Sequence, residues 1–97
     1  MNENQVKQHL QEVIDPEIGL NIVDLGLVYG IKLDQKSIQV TMTLTTQFCP
    51  MGTSIVESVE EVLKESYPDH AVEVSLTFEP RWNAAMISAE GKAFLDG

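Results

Sequence analysis

A single cysteine, Cys49, is all the thiol chemistry available to this 97-residue chain. One cysteine makes no internal disulfide, so the fold does not rest on a disulfide framework, which agrees with a reducing compartment. Basic residues are scarce as well: 6 Lys and Arg stand against 15 Asp and Glu, for a net charge of -9. That balance repels phosphate backbones and anionic membranes, and it argues against nucleic acid as a partner. No apolar run approaches the ~20 residues of a membrane span, and MNENQVKQHL has neither the basic start nor the apolar core of a signal peptide. The expectation is a cytoplasmic protein with no membrane partner. Also missing are a Gly-rich phosphate loop, a paired CxxC and a G-x-S-x-G elbow. A self-contained catalytic apparatus is hard to assemble from what remains, so the chain reads as something other than an enzyme.

With 43% hydrophobic residues and modest Gly and Pro content, the chain has the composition of one small globular domain, residues 1–97. A domain this short buries a smaller share of its surface than a larger one, and a homodimer is a natural way to cover the rest. In ENQVKQHLQEVI, Val6, Leu10, Val13 and Ile14 fall at helical spacing, which predicts an amphipathic helix of about three turns. It must stop near Asp15-Pro16, because proline disfavours helical dihedrals in the residue before it. Two strands follow, LVYGIKL (27–33) and IQVTMTL (38–44), joined by a DQKS hairpin connection. The second alternates Ile38, Val40, Met42 and Leu44 on a core face with Gln39, Thr41 and Thr43 on a polar one. From Pro50 the period changes, and Ile55, Val56, Val59, Val62 and Leu63 oppose Glu57, Glu60, Glu61, Lys64 and Glu65 on a second helix ending before Pro68. AVEVSLTF (71–78) is a third strand, and a short terminal helix is predicted from Ser88, weakened by Gly91. The expected fold is α+β, in the order helix, strand, strand, helix, strand, with helices packed on one face of a three-stranded sheet.

Several positions could carry chemistry. If Pro50 is the first helical residue, Cys49 sits at the cap, where free backbone N–H groups and the helix dipole stabilise a thiolate able to attack or to bind metal. The other reading of Cys49 is a buried, inert thiol. Asp15 and Glu17 flank Pro16 in DPE; two carboxylates in a turn bind a hard metal, act as acid and base, or leave Asp15 capping the turn and Glu17 in solvent. Asp24, among apolar residues, is expected to be partly buried with hydrogen bonds or to cap the turn at Gly26, a structural role. Thr45 and Thr46 could donate hydrogen bonds to a sulfur ligand or, with Thr43, simply populate a strand end. His9 and His70 have no partner at zinc-ligand spacing and read as surface residues. Trp82 either closes over a site or caps the core.

The segments DPEIGLNIVDLGLVYGI, VTMTLTTQFCP and VSLTFEPRWNAAMIS, in this order and at these separations, resemble the small iron–sulfur cluster assembly family that includes the SufT and PaaD proteins. The similarity runs from about Val6 to Ser88. It implies an α+β fold related to other cluster-assembly domains, and an accessory role in assembling clusters or transferring them to client proteins. It points to Cys49 as a transient metal ligand, with Asp15 and Glu17 of DPE and Thr45 and Thr46 of LTT beside it. The implied cofactor is an iron–sulfur cluster or iron, and the implied partners are client or scaffold proteins. Extra C-terminal cysteines of the PaaD branch have no counterpart in FLDG, a departure that favours the SufT-like type. A cluster wants four thiolate-like ligands and one protomer supplies a single sulfur, so a cluster would be shared between subunits, with a small thiol or with a client. A metal-free adaptor, binding partners through the Trp82 region and the acidic helix, is the competing reading. A hydrolase pairing Cys49 with His9 or His70 has no spacing in its favour.

Overall fold

The computed structural model describes residues 2–15, 18–44 and 52–96. Helix α1 (Glu3–Leu10) opens with a capping box: the Asn2 side chain accepts from the Gln5 N–H at 2.9 Å, and Gln5 Oε1 accepts from the Asn2 N–H at 3.2 Å. Val6 and Leu10 face the core. The helix stops a turn earlier than its apolar spacing predicts. Val13 is buried, yet Ile14 is 50% exposed, because residues 13–15 run back antiparallel to residues 20–22. Ile22 donates to the Val13 carbonyl at 3.0 Å and Asp15 to the Leu20 carbonyl at 3.0 Å. Pro16 forces an extended residue ahead of it, and the small hairpin satisfies the backbone groups that a longer helix would have satisfied.

Strands β1 (Val28–Leu33), β2 (Ser37–Met42) and β3 (Ala71–Leu76) form one sheet in the order β1-β2-β3. β1 and β2 are antiparallel and joined by the expected hairpin, where Asp34 donates its N–H to the Ser37 carbonyl at 3.0 Å and its carboxylate accepts from the Lys36 N–H at 2.8 Å. Tyr29 is the extra residue of a bulge, since Val28 pairs with Met42 and Gly30 already with Thr41. β3 runs parallel to β2, and helix α2 (Gly52–Ser66) makes the crossover that a parallel pair needs. Whether Pro50 begins that helix lies outside the described residues.

The core forms where α1 and α2 pack on each other and cover one sheet face. Ile38, Val40 and Met42 point into it from the central strand, against Val6, Leu10, Ile55, Val59 and Leu63. Full burial of a leucine such as Leu63 contributes roughly 1.5–3 kcal/mol. Gln39 and Thr41 are exposed, as the alternation predicts. Thr43 departs from it: expected on the polar face, it is 0% exposed. The strand has ended by then, the Thr43 N–H donates to the Leu27 carbonyl at 2.8 Å, and the chain turns inward ahead of buried Leu44.

Beyond β3 come a 3₁₀ turn (Ala84–Met86) and helix α3 (Ala89–Asp96). Ser88 caps α3, its Oγ accepting from the Gly91 N–H at 3.0 Å. Gly91, a weak helix former in isolation, is there for close approach: a Cβ would lie 2.8 Å from Ile87 Cγ2 and 2.9 Å from Leu20 Cδ2. No helix among the described residues is long and apolar enough to cross a membrane.

Candidate functional site

The sheet has two ends, and DLGLVY and EPRW meet at one of them. Val28 at the start of β1, Met42 at the end of β2 and Leu76 at the end of β3 are paired side by side. From this end the chain leaves β2 toward TTQFCP, enters β1 from DLGLVY and leaves β3 toward EPRW. A run of hydrogen bonds connects these segments. Asn21 Nδ2 donates to Asp24 Oδ2 at 2.7 Å, and Asn21 Oδ1 accepts from the Asp24 N–H at 2.9 Å, which fixes the turn into β1. Trp82 Nε1 reaches 2.7 Å to the Leu25 carbonyl, and Thr43 donates to the carbonyl of Leu27. The Tyr29 hydroxyl donates to the Pro80 carbonyl at 2.7 Å.

Asp15 enters the same neighbourhood through the 13–22 hairpin. It is 2% exposed, its Oδ1 accepts from the Ile18 N–H at 3.2 Å, and its carbonyl accepts from the Gly19 N–H at 2.7 Å. The carboxylate thus caps the Ile18 N–H, the turn-capping arrangement of an Asx residue. Glu17, Thr45, Thr46 and Cys49 lie outside the described residues. Among the described residues, no three His, Cys, Asp or Glu side chains are grouped to hold a metal ion.

Asp24 is half-buried and fully engaged. Besides its Asn21 bonds, Oδ1 accepts from Ser88 Oγ at 3.0 Å and its carbonyl accepts from the Ser88 N–H at 2.8 Å, so it clamps α3 to the entrance of β1. Gly26 follows at φ +80°, and a Cβ there would run into the carbonyl oxygen of Met86. The glycine is required twice, by its left-handed backbone and by the chain lying against it. Trp82 is half-buried against the core and bonded to Leu25, which makes it a core cap.

The family model described as iron–sulfur cluster assembly protein matches residues 3–76. The chain belongs to this family. It is 43% identical over 84 residues to the Fe–S protein maturation auxiliary factor SufT of Staphylococcus aureus, a match covering 86% of this chain and 96% of that one. To the maturation auxiliary factor YitW of Bacillus subtilis it is 37% identical over 87 residues, covering 89% of this chain and 85% of YitW. The crystal structure of a domain of unknown function from Bacillus anthracis superposes with a TM-score of 0.92 at 38% identity, covering 97% of this chain and 91% of that one. The small α+β fold with its mixed three-stranded sheet is therefore the family's fold.

Part of this end of the sheet was not anticipated. Asn21, Tyr29 and Ser88 are brought together with Asp24, Leu25 and Trp82 from positions far apart in sequence. Ser88 was expected to begin a helix, and the Asn21-x-x-Asp24 spacing is that of an Asx residue capping the third N–H after it; Tyr29 carried no signal. His9 and His70, expected at the surface, are half-buried, and each meets Tyr67 edge-on, with ring centroids 5.4 and 5.9 Å away. His9 Nδ1 lies 3.2 Å from Ser66 Oγ. This trio is near the start of β3, where Ala71 pairs with Ser37, at the end of the sheet remote from Met42.

Proposed function

We propose that this protein is an accessory factor in the maturation of iron–sulfur proteins, handling an iron–sulfur cluster or iron as transient cargo and passing it to client or scaffold proteins. The observation that carries this reading is membership of the cluster assembly family across residues 3–76, together with identity to SufT along almost the whole of both chains. In this reading the Cys49 thiolate ligates iron while the cargo is in hand. Thr45 and Thr46 donate hydrogen bonds toward the sulfur, and Glu17 offers a hard oxygen to iron. Asp15 shapes the loop, a role supported by its burial and its bond from Ile18. One sulfur per chain leaves most of the coordination of a cluster to a second copy, a small thiol or the client, which suits transfer better than storage. The protein acts in this scheme without being an enzyme.

Anaerobic reconstitution with iron and sulfide, run in parallel on wild type and Cys49→Ala, tests the cargo role. Sulfur-to-iron absorption in the visible spectrum that disappears with the variant is the expected result. No such absorption at any protein concentration supports a metal-free adaptor instead. In cells, unchanged maturation of iron–sulfur enzymes with Cys49→Ser would show that the thiolate is not a ligand.

A further inference from the structure

β3 closes one side of the sheet and has no strand beyond it among the described residues. Its parallel register fixes which backbone groups are used. Ala71 donates to the Lys36 carbonyl at 2.8 Å and Thr77 to the Met42 carbonyl at 2.9 Å, so the N–H groups at alternate positions 71, 73, 75 and 77 face β2. Those of Val72, Val74 and Leu76 face outward, as do their carbonyls.

Open edges are normally blunted by lysine, proline or a bulge. β1, the opposite edge, follows that rule, with its bulge at Tyr29 and with Lys32 exposed. β3 does not: AVEVSL contains no lysine and no proline, its pairing with β2 is unbroken over six residues, and its one charge is Glu73. The side chains of the outward-bonding residues form an apolar row on the helix-covered side. Val72 and Val74 are half-buried against the core, while Leu76 at the end of the row is 45% exposed. Beside the row lies α2, which carries Glu57, Glu60, Glu61 and Glu65 against the single cation Lys64.

We infer that the outer edge of β3 is a docking site for an extended segment of a partner protein, apolar at alternate positions and basic between them, which adds to the sheet as a fourth strand. Main-chain bonds to Val72, Val74 and Leu76 hold such a segment. Its apolar side chains lengthen the row over Leu76, and its basic ones, on the opposite face of the sheet, meet Glu73. Charge chooses among occupants: a net charge of -9 attracts a basic segment and opposes a second copy of the same chain. The inference stands whether or not the protein carries a cluster.

The probe is a fluorescein-labelled peptide of alternating lysine and valine, titrated by anisotropy in physiological salt, against the same peptide with proline at its central valine. Val74→Pro is the informative variant, because it deletes an outward N–H and leaves the ladder to β2 intact. Circular dichroism and thermal unfolding verify its folding. Saturable binding that weakens by about tenfold with Val74→Pro, with Glu73→Lys and with the proline peptide is expected, the scale of losing one main-chain bond or one ion pair in a half-buried strand. On adding the peptide, amide exchange should slow at Val72, Val74 and Leu76. Should Val74→Pro not fold, that exchange pattern in the wild type decides alone. Equal binding by wild type and Val74→Pro, or no slowing at the three amides, overturns the inference. A concentration-dependent dimer of the wild type, seen by light scattering and abolished by Val74→Pro, overturns the choice of occupant in favour of a second copy.

Discussion

Replacing Gly26 by alanine perturbs the site's scaffold at one point and permits an internal control. Gly26 and Gly19 share a left-handed backbone, at φ +80° and +82°. A Cβ at Gly19 meets nothing within 4 Å, whereas one at Gly26 collides with the backbone of Met86. The left-handed conformation alone costs an L-residue about 1–2 kcal/mol, and that is the whole expected cost at Gly19. At Gly26 the 84–86 turn must also move away. The bonds placed at risk are Trp82 Nε1 to the Leu25 carbonyl and the Ser88 N–H to the Asp24 carbonyl, each about 1 kcal/mol net. Gly26→Ala should therefore cost about 3–4 kcal/mol, a large part of the ~5–15 kcal/mol that holds a small domain together. At about 4–8 °C per kcal/mol for a chain of this size, Gly19→Ala should lower Tm by roughly 4–16 °C and Gly26→Ala by roughly 12–32 °C, about two to three times as much. Thermal unfolding by circular dichroism measures both, and the fluorescence of the only tryptophan, Trp82, reports the displaced turn. Equal losses for the two variants would refute the argument that Met86 lies against Gly26.

Two further outcomes are expected. Ser88→Ala removes the cap of α3 and the bond to Asp24, at about 1–2 kcal/mol; hydrogen exchange should quicken at Gly91 and Lys92 and stay unchanged at Val59 and Leu63. The Asp34 carboxyl is held below its ordinary value of 3.8, chiefly by the Lys36 N–H, which outweighs the opposing cost of desolvation, with smaller help from Ser37 and the charge of His70. A depressed carboxyl stabilises the fold above its unfolded pKa and loses that contribution as pH falls, so the Tm difference between wild type and Asp34→Asn should be widest near neutral pH and close below 3.8. No closing of that difference on acidification would contradict the bond from Lys36.

What could be read in advance follows from how local each cause is. β2 was legible because Ile38, Val40 and Met42 alternate with Gln39 and Thr41, and a period of two leaves little choice. α2 was legible because its apolar stripe and acidic face share one helical period. Val13 and Ile14 misled: they continue the spacing of Val6 and Leu10, yet a hairpin with residues 20–22 binds their backbone instead. Thr43 misled for a similar reason, since Leu27 takes its N–H once the strand has ended. At the candidate site, the turn-capping role of Asp15 and the structural role of Asp24 were within reach of local reasoning. The bonds of Ser88 to Asp24 and of Trp82 to Leu25 were not, because nothing in a sequence announces which carbonyl an indole N–H will find. The expectations for Glu17, Thr45, Thr46 and Cys49 rest on family resemblance and chemistry.

The bonds that fasten the last part of the chain have a consequence for the order of assembly. Tyr29 to Pro80, Leu25 to Trp82 and Asp24 to Ser88 span 51, 57 and 64 residues. The β1-β2 hairpin closes over a few residues, and α1, α2 and β3 can assemble around it as soon as they emerge from the ribosome. Loops as long as these three close late, because their ends must first be made and then brought together. During synthesis, the end of the sheet where DLGLVY meets EPRW is thus the last to be fastened. A nascent chain stalled before residue 80 would have its sheet and no cover over Leu25 and Gly26, so for a short interval the polypeptide shows chaperones a face that the finished protein keeps shut.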